Sequence, residues 1–65
     1  MQRNELRSIM AKHGDTCQTL AEVLAISIPA FSNKLNGKRP FTLKEIAKMQ
    51  VRYNLSWDDI VGIFL

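Results

Sequence analysis

The stretch from Gln18 to Asn36 constrains this chain more than any other part of it. Two apolar stripes at helical spacing lie there, separated only by Ala25-Ile26-Ser27. Leu20, Ala21 and Leu24 fall on one face of a first helix; Ile28, Phe31 and Leu35 fall on one face of a second. The link is too short for anything but a sharp corner, with Ile26 placed to plug the angle. Ser27 is an N-cap type, because its hydroxyl can accept from first-turn N–H groups. Pro29 follows in that first turn, where a missing donor costs nothing. Gly37 suits the left-handed residue that closes a helix. The spacing therefore predicts a second helix from Ile28 or Pro29 to Asn36. Two helices joined this tightly make a helix-turn-helix, whose second helix can enter a major groove.

The flanking sequence supplies three more helices. Asn4 to His13 carries the stripe Leu6, Ile9, Met10 and stops at Gly14, leaving Arg3, Arg7 and Lys12 on the solvated side. Asp15 or Thr16 can cap the helix that ends at Leu24. Thr42-Leu-Lys-Glu45 is a capping box, after which Leu43, Ile46, Met49 and Tyr53 are expected to pack inward and Val51 to stay outside. Asn54 can end that helix in the left-handed region. Ser56-Trp-Asp-Asp59 opens the last helix with a cap and two acids favoured by the helix dipole. Its expected inward stripe is Trp57, Ile60, Val61 and Phe64, which leaves Ile63 and Leu65 exposed. Phe41 is expected to plug the core or to staple the helix that follows it. Such a tail suits either a two-fold contact, through Ile60, Ile63, Phe64 and Leu65, or cover by a further domain.

With 65 residues the chain holds one domain, spanning 1–65. One cysteine and one histidine exclude an internal disulfide and a zinc cluster. No apolar run approaches the roughly 20 residues of a membrane span. The charged start, Met1 to Arg7, has no signal-peptide core, so a cytoplasmic location is expected. The net charge of +3 is unevenly spread. Lys34, Lys38, Arg39, Lys44, Lys48 and Arg52 lie close together in sequence, with Glu45 as the only acid among them. A phosphate backbone attracts such a patch and releases counterions on binding.

Read residue by residue, the second helix of the pair turns Pro29, Asn33 and Asn36 outward, with Ala30, Ser32 and Lys34 at the margins. Asn33 is the first candidate for a base contact, since a carboxamide can pair bidentately with adenine. Ile28 and Pro29 can offer only apolar contact, for instance to thymine methyls. Lys38 and Arg39, in the loop that follows, suit phosphate contacts, as does the Thr42 end of the next helix with Lys44.

Leu20-Ala21, Ile26-Ser27, Phe31-Ser32, Leu35-Asn36-Gly37 and Pro40 together resemble the lambda-repressor-like (Cro/repressor, XRE-type) DNA-binding domain. The resemblance covers nearly the whole chain. It implies an all-α fold of five short helices with a helix-turn-helix. It also implies a phage or prophage transcriptional regulator that binds double-stranded operator DNA as a homodimer. On that pattern Ile28, Pro29, Ser32 and Asn33 would touch bases, and Gln18, Ser27, Asn36, Lys38, Arg39, Thr42 and Lys44 would touch phosphates. The chain departs from the family in three places. Cys17 stands where a phosphate-touching glutamine is usual, Ala25 where glycine is usual, and Ile28-Pro29 where polar base readers are usual. Ala25 must either carry backbone strain of about 1 kcal/mol or sit in a different turn.

No Gly-rich phosphate loop, paired carboxylates or Ser/His/Asp set points to an enzyme, and no cofactor, membrane or small-molecule substrate is expected. The competing reading is a helical protein-interaction module on the same fold.

Overall fold

The computed structural model describes residues 3–65, so Met1 and Gln2 of the charged start lie outside it. The described residues form five α-helices: α1 (Arg3–Lys12), α2 (Cys17–Leu24), α3 (Ile28–Leu35), α4 (Leu43–Tyr53) and α5 (Trp57–Phe64). This is the expected all-α architecture. α2 packs on α3 and α4, while α5 closes against both α1 and α4.

Each helix from α2 onward begins on a capping hydroxyl. Thr16, Ser27, Thr42 and Ser56 accept from the backbone N–H groups of Thr19, Ala30, Glu45 and Asp59, and the last two complete capping boxes. Thr16 rather than Asp15 is thus the cap of α2. The ends are equally uniform. Asp15, Ile26, Lys38 and Leu55 each donate a backbone N–H to a carbonyl five residues earlier. The residue before each donor is left-handed: Gly14, Ala25, Gly37 and Asn54. That is the Schellman closure, and it turns the chain sharply after every helix but the last. Ala25 has φ 58° and ψ 42°, so the corner keeps the glycine geometry without the glycine.

Leu6, Leu20, Phe31 and Met49 are fully enclosed and form the centre of the core. Phe41 bridges Phe31 and Phe64, with ring centroids 5.8 and 5.7 Å away. Aromatic pairs at such separations add to simple burial. Ile26 and Cys17 pack against the core from its edge.

Three inward faces differ from the expected stripes. Leu43 is exposed, and the buried arc of α4 is Glu45, Met49 and Tyr53. Glu45 can take that place because Lys34 neutralises it. On α5 the buried residues are Ile60 and Ile63, with Phe64 half-buried, while Trp57 and Val61 face solvent. Ile60, Ile63 and Phe64 satisfy i, i+3, i+4 spacing as well as the expected set did. They win because α5 must meet α1 as well as α4. Ile28, at the first position of α3, is half exposed rather than part of the core.

Candidate nucleic-acid interface

The outer face of α3 is open at its start and only half open toward its end. Ser27, Ile28 and Pro29 are exposed at its start, and Ser32, Asn33 and Asn36 are half-buried along it. Ser27 Oγ accepts from the Ala30 N–H at 3.1 Å, so this hydroxyl already serves the cap. Asn33 carries its side chain at the middle of the face, and its backbone carbonyl accepts from Lys38 N–H at 2.9 Å. That bond draws Lys38 and Arg39, both exposed, to the C-terminal end of α3. Gln18, at the start of α2, is exposed beside the half-buried Cys17.

Asn36 is held by another helix. Its Oδ1 accepts from the Arg7 guanidinium at 2.6 Å, and its Nδ2 lies 3.5 Å from Ser32 Oγ. Arg7 thus brings an exposed cation from α1 to the end of α3. The sequence spacing placed Arg7 only on a solvated side; the two residues lie 29 positions apart, so no local signal announces the contact.

The basic stretch divides into two kinds of residue. Lys34 turns toward α4 and binds both oxygens of Glu45, at 2.7 and 2.6 Å. Arg52 holds Asp15 through two hydrogen bonds of 2.9 and 2.6 Å. Neither points its charge at a free phosphate, which corrects the picture of one uniform cationic run. Lys38, Arg39, Lys44 and Lys48 are exposed and have no ion pair among the described residues. At the start of α4, Thr42 N–H donates to Glu45 Oε1 at 2.8 Å and Thr42 Oγ1 accepts from Glu45 N–H at 3.2 Å. The capping box therefore satisfies groups that a phosphate would otherwise meet, and Lys44 is left as the exposed cation there.

The two paired carboxyls have lowered pKa values. Hydrogen bonding from Arg52 is the main cause for Asp15, which falls to about 2 against the opposing effect of burial. For Glu45 the largest single influence is burial, which raises it. The hydrogen bonds from Lys34 and from Thr42 N–H together outweigh that, and the carboxyl ends below its ordinary value. Tyr53 donates its hydroxyl proton to Asp15, and its ring lies 4.8 Å from that of His13 at a 50° tilt. Burial, then the bond to Asp15, pushes the Tyr53 phenol well above its ordinary range.

Five helices, a tight α2–α3 corner and an open polar helix flanked by cations define a small helical domain of the DNA-binding type. The chain belongs to the BetR domain family, whose model matches residues 3–63. No curated protein and no solved structure matches the chain. No described helix is long and apolar enough to cross a membrane.

Of the surfaces expected for self-association, Ile60 and Ile63 are enclosed within the protomer and Phe64 is partly so. Only Leu65 of that set is exposed. The other large apolar side chains that reach solvent on α4 and α5 are Leu43, Val51, Trp57 and Val61.

Proposed function

We propose that this chain is a sequence-specific DNA-binding transcriptional regulator of the phage Cro/repressor type, acting in the cytoplasm without enzymatic chemistry or a cofactor. α3 enters the major groove of operator DNA. Asn33 reads a base edge by paired hydrogen bonds, Ser32 adds a polar contact, and Ile28 and Pro29 press against thymine methyls. Lys38, Arg39 and Lys44 hold the phosphates, with Gln18, Ser27, Thr42 and Asn36 at the margins of the same surface. The observation that carries the reading is the exposed start of α3 and its half-exposed Ser32 and Asn33, with Lys38 and Arg39 exposed at its C-terminal end. Regulation is steric: an occupied operator excludes polymerase or a competing regulator. Paired half-sites call for a homodimer.

The half-exposed Ile28, followed by Pro29, favours a second reading, in which the same surface takes a protein partner. Salt separates the two. Selection of bound duplexes from a random pool at two salt concentrations should give a defined half-site and an affinity falling steeply with salt. Replacing Lys38 and Arg39 by alanine should weaken all duplexes alike, whereas Asn33→Ala should change the preferred sequence. Salt-independent retention, or no enrichment at either concentration, would favour the protein partner.

A further inference from the structure

We infer that the shallow groove between α2 and α4 docks an acidic amphipathic helix of another protein. Val23, Ala47, Lys48, Val51 and Arg52 line it. Residues four apart on a helix lie one above the other. α4 therefore presents two parallel rows there: an apolar row of Ala47 and Val51, and a cationic row of Lys48 and Arg52. Lys44 continues the cationic row one turn earlier. Val23 of α2 forms the other wall. Val51 is 83% exposed, so the fold itself gives this β-branched side chain almost nothing to pack against.

The lining carries cations and no acid, and that selects the occupant. Glu22 adjoins Val23 but does not line the groove. Asp15 is enclosed and bonded to Arg52, which ties the entry of α2 to the end of α4 and leaves the groove preformed. Lys48 has no ion pair among the described residues. A helix with carboxylates along one edge would neutralise Lys48 while its apolar residues cover Val23, Ala47 and Val51. A nucleic-acid backbone would meet Lys48 but offer nothing to the apolar row. A second copy turned onto the same groove by a two-fold axis would bring like charges together. The surface is small, so the complex should be weak and sensitive to salt. No residue of α3 lines the groove, so the inference does not depend on the operator reading.

The probe that tests it is a synthetic helical peptide with leucines at i, i+4 spacing and glutamates along the flanking row. It is titrated into the whole chain without DNA and followed by amide NMR shifts. Saturable shifts centred on Val23, Ala47, Lys48 and Val51 are expected. Peptides with serine for leucine, or lysine for glutamate, should bind about tenfold more weakly or worse. Val51→Ser should weaken the leucine–glutamate peptide about tenfold, and Lys48→Glu should transfer preference to the lysine peptide. Both side chains are exposed, so helical circular dichroism should not change. Absence of saturable binding, shifts centred on α3, equal binding of the serine peptide or indifference to Val51→Ser overturns the inference. So does self-association of the chain alone that Val51→Ser abolishes, which would make the occupant a second copy. Titrating a duplex keeps the two readings apart. Peptide binding without duplex binding removes the operator reading alone, whereas duplex binding weakened by Val51→Ser assigns the groove to nucleic acid and removes the inference.

Discussion

Lys34 Nζ lies 2.6 Å from one carboxylate oxygen of Glu45 and 2.7 Å from the other, tying α3 to the start of α4. Both side chains are largely enclosed. Glu45 also accepts from Thr42 N–H, so one carboxylate caps α4 and fixes the angle of the candidate DNA-reading helix. Removing its charge leaves an ammonium half-buried without a counter-ion. Glu45→Gln should therefore cost about 2 kcal/mol, read as a fall in Tm of about 10 °C. Lys34→Met with Glu45→Leu should recover much of that loss, since an apolar pair of similar size avoids burying charge. A Glu45→Gln protein that melts with the wild type would remove this tie from the account of the fold.

Ala25 holds a left-handed backbone that an L-residue adopts only at a cost. Glycine pays no such steric penalty, though it loses more entropy on folding. Ala25→Gly should therefore raise stability by about 0.5–1 kcal/mol, seen as a higher urea midpoint at unchanged slope.

Stability should fall on the acid side through two carboxyls. Asp15 is held at about 2 in the folded chain against 3.8 unfolded, chiefly by its hydrogen bond from Arg52. A lowered folded pKa gives stability that is present above the unfolded value and lost as pH falls through the folded one. The loss should run from about pH 4 down to about pH 2. Glu45 adds to the same limb, because its pKa is also lowered. Tyr53 acts in the opposite sense. Its raised pKa gives stability present below the ordinary phenol value of 10.0 and lost as pH climbs beyond it. Urea midpoints measured across pH for Asp15→Asn should show a shallower acid limb, with part of the slope left to Glu45.

What the sequence disclosed, and what it hid, follows from how local each signal was. Caps and closures were legible because they depend on neighbouring residues. Ser27, Thr42 and Ser56 begin helices as hydroxyl caps, and Gly37 and Asn54 end them. Phe41 fills the core as its apolar character between two helices suggested. The phase of α5 was not legible. Trp57, Ile60, Val61 and Phe64 make as good a stripe as Ile60, Ile63 and Phe64, and only the position of α1 decides between them. Leu43 misled for a related reason: a buried, neutralised Glu45 displaced it from the inward face of α4. The Arg7–Asn36 and Asp15–Arg52 contacts join residues 29 and 37 positions apart, which no periodicity reveals.

Gly62 sits in the last helix at a solvent-facing position, and a Cβ built there meets nothing within 4 Å. The helix carries the entropic penalty of glycine without a steric reason for it. Gly62→Ala should stabilise the chain by about 0.8–1 kcal/mol. Thermal melting by circular dichroism at low protein concentration checks this. A Tm at or below that of the wild type would show that the glycine is not the weak point of α5.

Arg7 reaches Asn36 from α1 and adds a cation at the end of α3 where Lys38 and Arg39 also lie. Its guanidinium is exposed, and on the proposed docking a phosphate running along that end of the helix would meet it. If it makes such a contact, Arg7→Ala should weaken binding to every duplex and reduce the slope of log affinity against log salt by about 1. The preferred sequence should stay the same, because a phosphate contact positions without reading bases. Loss of the bond to Asn36 should have little effect on folding, since both side chains reach solvent. Salt titrations of Arg7→Ala beside wild type on the selected duplex decide the point. An unchanged slope with weakened binding would assign Arg7 to orienting Asn36 rather than to the phosphate.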